Sequence, residues 1–143
     1  MKHGQRGATA VEFALVLVIY FAFVLSVVDL SRMLFTWIAA SEATRAGARY
    51  AVVCDNTGQA SVVLGKMRAL LPQIQTASVA WDPPGCDPSS CIGVRVGITS
   101  LNFNFMSPMA GLAKLTPIAM PTFATYVSRE DMRQDPNAAA ICP

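Results

Sequence analysis

Glu12 is a charged residue in an apolar stretch, where its carboxylate requires a stabilising partner or a polar surface. It is the only charged residue in the stretch 8–28, which is otherwise mostly apolar. A carboxylate is costly at the centre of a bilayer and less costly near its surface. An ammonium group one helical turn away would offset that cost. Alternatively, Glu12 lies at the membrane surface and interacts with the positive N-terminal end of a helix.

The four cysteines form the second group of residues with chemistry of their own. An even count in an exported protein is typical of disulfides, and four cysteines allow three pairings. Cys86 and Cys91 flank a short loop and are the favoured pair, which leaves Cys54 to bind Cys142 and hold the C-terminal tail to the end of a helix. A zinc site is the alternative, but Cys86 and Cys91 lack a second close pair and the single histidine is His3. We therefore expect two disulfides and no metal.

The other polar residues form no catalytic pattern. The sequence contains no Ser-His or Cys-His arrangement and no glycine-rich phosphate loop. The carboxylates of Asp82, Asp87, Glu130 and Asp131 fall in turn-like or terminal positions, which is typical of a solvated surface. A net charge of +2 provides no basic face for phosphates. We therefore expect no enzymatic activity, no cofactor and no nucleic-acid partner.

The composition indicates an exported or membrane-bound protein. Of 143 residues, 53% are hydrophobic and only 14% are charged. Soluble domains have about 25% charged residues, and disordered chains are more polar still. The length suits one small domain and an appendage.

The appendage is a predicted membrane segment: residues 8–28 are uncharged except for Glu12, and the transmembrane part is expected at about residues 10–30. Twenty-one helical residues just cross a hydrocarbon core of about 30 Å. Lys2 and Arg6 precede the segment, whereas Asp29 and Arg32 cancel after it, so the positive-inside rule places the N-terminus in the cytoplasm. A plain signal anchor or a cleaved signal peptide is the alternative, although the apolar run exceeds the usual 7–15 residues of a signal peptide.

The segment QRGATAVEF resembles the processing site of type IV prepilins, in which a short basic leader ends in glycine. The resemblance implies cleavage by a prepilin peptidase between Gly7 and Ala8, directly after Arg6. Glu12 then becomes the fifth residue of the mature chain and Phe13 the aromatic residue that follows it. The new amine of Ala8 lies four positions from Glu12, on the same helix face, where it can offset the carboxylate.

Further motifs narrow this resemblance. They are GATAVEFALVL at 7–17, DLSR at 29–32, EATRAGARYA at 42–51 and ATYVSRE at 124–130. Together they resemble the opening and the closing strand of TadE-like proteins of the tight-adherence (Flp) pilus system. The resemblance implies an inner-membrane pseudopilin that a prepilin peptidase cuts and that pilus assembly requires. TadG-like proteins share a similar membrane start and are the sibling alternative.

A single helix is predicted over residues 8–53, because no proline interrupts it and its only glycine is Gly47. Small residues recur within it at spacings of three and four, namely Ala40, Ala43, Gly47 and Ala51. Such a stripe permits the close approach of another helix or a sheet. It is an assembly interface with another pilin helix or the face that packs on the protein's own domain, and both could hold at different heights along the helix.

The remaining residues, 54–143, are predicted to form an exported domain. The patterns give one helix and three strands, at residues 59–71, 76–81, 92–98 and 118–127. Pro117 and Pro121 place the last strand at a sheet edge. Phe103, Phe105 and Met106 could cap the core, and the tail 131–143 is expected to be loose. The fold class is α+β, with a long N-terminal helix on a small antiparallel three-stranded sheet, which is a pilin-like arrangement.

These expectations combine into three segments: a leader at 1–7, a helix at 8–53 and an exported domain at 54–143. The function they indicate is a pseudopilin of the bacterial inner membrane, with a periplasmic domain, that assembles with a Flp pilus or enters it. Its expected partners are other pilins, the assembly platform, the prepilin peptidase and the lipid bilayer. The alternative is an uncleaved membrane-anchored accessory or binding protein of the TadG-like kind.

Overall fold

The computed structural model describes residues 5–54, 60–87, 90–107, 117–129 and 142. Its longest element is helix α1, Gln5–Val53, whose 49 residues measure about 73 Å. Two of its polar side chains are satisfied within the helix, since the hydroxyls of Ser26 and Ser31 donate to the carbonyls of Ala22 and Val27 at 2.7 and 2.8 Å. Such bonds let hydroxyls occur in an apolar segment. The predicted long N-terminal helix is confirmed.

Internal contacts divide the chain into two compact units. One combines Met1–Leu34 with Phe103–Ile118, and the other combines Phe35–Asn102 with Ala119–Pro143. Helix α1 is continuous through the boundary and contributes its first part to one unit and its second part to the other.

The second unit contains an antiparallel three-stranded sheet, as predicted. Its strands are β1 (Ala77–Asp82), β2 (Gly93–Ile98) and β5 (Phe123–Ser128), in the order β1-β2-β5. On β2, Val94, Val96 and Ile98 are buried and Arg95 between them is exposed. Because successive strand residues point to opposite faces, these three side chains supply the core from one face of the sheet.

The second part of α1 packs on that inner face. The ring of Trp37 meets the ring of Phe123 edge to face, with 5.1 Å between centroids. About two turns further along α1, the hydroxyls of Thr44 and Thr125 lie 3.0 Å apart and share a hydrogen bond. These contacts fix α1 against β5, the edge strand of the sheet.

The small-residue stripe of α1 lies in the interior of this unit. A Cβ built on Gly47 would lie 2.8 Å from Cγ of Met67, a fully buried residue of helix α2, Ala60–Leu70. Ala40, Ala43 and Ala51 have no exposed surface. The stripe therefore packs on the protein's own domain, the second of the two alternatives. Its assignment to an interface with another pilin helix is corrected, because no area of these side chains is available to a partner.

The third predicted strand is divided in two. Residues 118–119 form β4 (Ile118–Ala119), which pairs with β3 (Asn102–Phe103) in a separate two-stranded sheet, and β5 begins only at Phe123. Between them the amide of Met120 donates to the carbonyl of Leu101 at 2.8 Å. Pro121 has no amide hydrogen to continue a strand ladder, which explains the break. As predicted, β5 lies at a sheet edge.

The residues expected to cap the core, Phe103, Phe105 and Met106, lie within the described range 90–107. Phe103 is buried and contacts Phe105 edge to face at 5.2 Å, so it does contribute to a core, whereas Met106 is exposed. The predicted helix at 59–71 is observed as α2, with Gln59 outside the described residues. The predicted loose tail, 131–143, also lies outside them except for Cys142.

Candidate functional site

The first part of α1 exposes a continuous apolar surface. Among the residues that the structure describes, Gly7–Val53 is the one helix long and apolar enough to cross a membrane, and none of its most apolar 18-residue window is buried. Side chains such as Ile19 and Phe23 are therefore covered by no other part of the described chain. This surface is consistent with single-pass membrane anchoring.

The residues of the predicted processing site lie in the first turns of this helix. Gly7, Ala8, Glu12 and Phe13 are exposed, and Arg6 precedes them in the same helix. Ala8 and Glu12 are one turn apart and share a face. Within the described residues no cation pairs with the Glu12 carboxylate. A Cβ on Gly7 would meet no atom within 4 Å, so packing does not require glycine there.

A second exposed apolar surface follows the membrane-capable segment along α1, and we name it the outer stripe. Its members are large side chains with 58–70% of their surface exposed, namely Leu30, Leu34, Phe35 and Ile38. The buried residues Thr36 and Ala40 face another side of the same helix. Sequence reasoning missed this surface, although the spacing of residues 30, 34 and 38 is the signal that reveals a helix face. The next exposed residues, Glu42 and Arg45, are charged and form an ion pair of 3.0 Å.

The outer stripe makes the exposed apolar surface longer than a bilayer is thick. Residues 8–38 of α1 span about 46 Å at 1.5 Å each, whereas the hydrocarbon core is about 30 Å thick. Placing the whole length in lipid would require a tilt of about 50°, beyond the usual range of up to about 40°. The part that the bilayer leaves uncovered is a large exposed apolar patch of the kind that marks protein interfaces.

A buried carboxylate marks the end of the membrane-capable segment. Asp29 is only 2% exposed, and its Oδ1 and Oδ2 accept hydrogen bonds from the amides of Met106 and Ser107, both at 2.9 Å. Arg32 forms an ion pair with Oδ1 at 3.2 Å, and its guanidinium lies 5.6 Å from the centre of the Phe103 ring. The sequence places Arg32 one turn from Asp29, but it contains no signal for a contact with residues 77 and 78 positions away.

Two disulfides connect the four cysteines. Cys54 bonds to Cys142 and Cys86 bonds to Cys91, with Cα–Cα distances of 5.4 and 5.2 Å. These are the pairs that the sequence favours. The first attaches the end of the chain to the end of α1, and the second closes the connection between β1 and β2.

A groove of about 380 Å³ lies between α1 and the start of β5. It is lined by Trp37, Ser41, Thr44, Arg45 and residues 121–125. Thr44 is already bonded to Thr125, and Arg45 is paired with Glu42. Among the described residues no three His, Cys, Asp or Glu side chains come together as a metal site. The groove therefore presents hydroxyls and an apolar wall rather than a reactive pair.

Comparison with known proteins identifies one relationship. Residues 7–49 match the family model described as TadE-like protein. No curated protein and no solved structure matches the chain significantly. The match falls on α1 and includes Glu12, Asp29 and all residues of the outer stripe. The resemblance to TadE-like proteins is thus confirmed over residues 7–49, which is less than a third of the chain.

Proposed function

We propose that this protein is a pseudopilin that takes part in assembling a tight-adherence pilus. The observation that supports this function best is the exposed apolar surface of α1, which is longer than the bilayer. Lipid can cover residues 8–28, and the outer stripe beyond them needs a protein partner. Another pilin helix is an apolar cylinder of the same kind, so it can cover both regions at once.

The proposed topology places the N-terminus in the cytoplasm and the domain in the periplasm. Lys2 and Arg6 are the cationic residues before the membrane segment, and positive residues favour the cytoplasmic side. The two disulfides support an oxidising compartment for the domain. The inner membrane of a bacterium separates these two environments.

A prepilin peptidase is proposed to remove residues 1–7. We expect the intact mass and the N-terminal sequence of membrane-extracted protein to begin at Ala8. Gly7→Val is expected to block this cleavage, because a branched side chain hinders access to the backbone. Gly4→Val is the matched control and should leave cleavage unchanged, since Gly4 lies too far from Glu12 to end the leader. A functional protein that retains Met1 would support instead an uncleaved accessory protein.

Glu12 is proposed to pair with the amine that cleavage creates on Ala8, within one chain or between packed subunits. Glu12→Ala should leave membrane insertion unchanged but weaken assembly about 100-fold, because breaking a buried charge pair costs about 3 kcal/mol. Co-purification with pilins and the amount of surface pili measure this effect. Glu42→Ala removes an exposed carboxylate of the same helix and should have no effect. Normal pilus output from Glu12→Ala would exclude the role given to this residue.

A further inference from the structure

The clearest feature without an assigned role is the attachment of residues 103–107 to α1. Asp29 receives two consecutive backbone amides, one on each carboxylate oxygen, at 2.9 Å. Two parallel N–H bonds to a charged acceptor fix the orientation of the backbone as well as its position. Arg32 strengthens the arrangement by contacting both the Asp29 carboxylate and the ring of Phe103.

This attachment determines what the segment presents at its surface. Phe103 is buried, and Phe105 is partly buried against it. Met106 carries one of the two bonded amides and directly follows Phe105, yet its side chain is 72% exposed. An apolar side chain is therefore held outward by a backbone that is itself fixed to α1.

The attachment lies where the apolar run of α1 ends. Asp29 directly follows Val28, the last residue of the uncharged apolar run, and Val28 and Leu30 beside it are exposed. A bilayer that covers residues 8–28, about 30 Å of helix, ends at this level. Contacts within the chain also group residues 103–118 with the first part of α1.

From this geometry we propose that residues 103–107 form a second membrane-contacting element, which Asp29 holds at the level of the bilayer surface so that Met106 enters the lipid. The bond from each carboxylate oxygen to an amide satisfies the charge of Asp29 in a region of low polarity. Arg32 can keep its charged end at the headgroups while its stem lies along apolar surface. The proposal rests on membrane insertion of α1 and is independent of leader cleavage and of pilus assembly.

The bilayer is a better occupant for the Met106 surface than a protein, because Asp29, which accepts the amide of Met106, directly follows the apolar run that lipid can cover. The flexible side chain of a methionine can fit between irregularly packed lipid chains at the bilayer surface. The outer stripe, by contrast, continues along α1 past the level of Asp29. A second copy of the chain against Met106 is the competing outcome of the test.

Tryptophan fluorescence of the full-length protein in vesicles of phosphatidylethanolamine and phosphatidylglycerol tests the proposal. The added tryptophan of Met106→Trp is expected to emit at shorter wavelength than a tryptophan exposed to water and to be quenched by lipids brominated near the headgroup. Wild-type protein supplies the background of Trp37 and Trp81. Gln75→Trp, at an exposed residue of the other unit, is the matched control and should not be quenched. Flotation of the vesicles verifies that α1 is inserted in every sample.

Adding Asp29→Ala to the Met106→Trp protein should abolish the quenching while the protein still floats with the vesicles, because the segment loses its attachment. If Asp29→Ala prevents folding, the comparison of Met106→Trp with Gln75→Trp decides the question by itself. Quenching of Met106→Trp no greater than that of Gln75→Trp would overturn the proposal. So would a wavelength shift that disappears as lipid is added at constant protein, since dilution separates protein neighbours but not lipid contacts.

Discussion

Replacing Leu34 and Ile38 together with aspartate is expected to abolish association of the protein with its helical partners. Both side chains belong to the outer stripe and are about 60% exposed in the isolated chain. Burying one such side chain contributes about 1.5–3 kcal/mol. Losing two should therefore weaken association by about two to four orders of magnitude, and introduced carboxylates add a desolvation cost. Co-purification with pilins and the amount of assembled pili measure the loss.

The control for this substitution is Leu70→Asp, at an exposed leucine of the other helix, α2. It should leave association intact. Both variants should keep their disulfides and their secondary structure, because the replaced side chains are exposed. Membrane insertion should also persist, since residues 34 and 38 follow the segment that lipid can cover. Normal association of the Leu34→Asp, Ile38→Asp protein would contradict the assignment of the outer stripe, and loss of membrane insertion would place the stripe in lipid.

Replacing Cys54 and Cys142 together with alanine is expected to lower the free energy of unfolding by about 4–5 kcal/mol, a large part of the stability of a small domain. The disulfide joins residues 88 positions apart, so its removal restores much conformational freedom to the unfolded chain. Denaturant unfolding of the detergent-solubilised protein, followed by tryptophan fluorescence, measures the change.

Replacing Cys86 and Cys91 with alanine is the matched control. These residues are 5 positions apart, and the same chain-entropy relation gives about 2 kcal/mol. Equal losses for the two pairs would contradict an origin in the unfolded chain. A smaller loss for the long-range pair would indicate that the residues it closes remain ordered without it.

The domain that follows α1 could be predicted from the sequence in outline but not in detail. Alternating apolar residues on β2 are sufficient to identify a strand with one buried face, and Pro121 marks β5 as an edge strand. The division of the third strand into β4 and β5 was not predictable, because the pairing of β4 with β3 depends on contacts with residues 102 and 103. Periodicity describes a segment and contains no information about its partner.

The candidate site shows the same limit more clearly. The residues of the proposed processing site could be named from the sequence because Gly7, Ala8 and Glu12 are linked by spacing along one helix. The attachment of residues 106 and 107 to Asp29 could not, because the helix and the segment are 77 and 78 positions apart. A buried carboxylate must accept hydrogen bonds, but the sequence does not show which distant amides donate them.

The sequence by itself determined the long helix, its membrane-capable segment and the resemblance over residues 7–49, because each follows from local composition and spacing. Tertiary structure alone decided which face of that helix stays exposed. Gly47 is buried where Met67 of α2 approaches α1, so that a Cβ on Gly47 would lie 2.8 Å from Cγ of Met67, and the alanines of the same stripe are buried as well. The bulkier side chains of the outer stripe remain exposed as a result. Helical periodicity separates two faces, but only the packing of the domain against one of them determines which face remains for a partner.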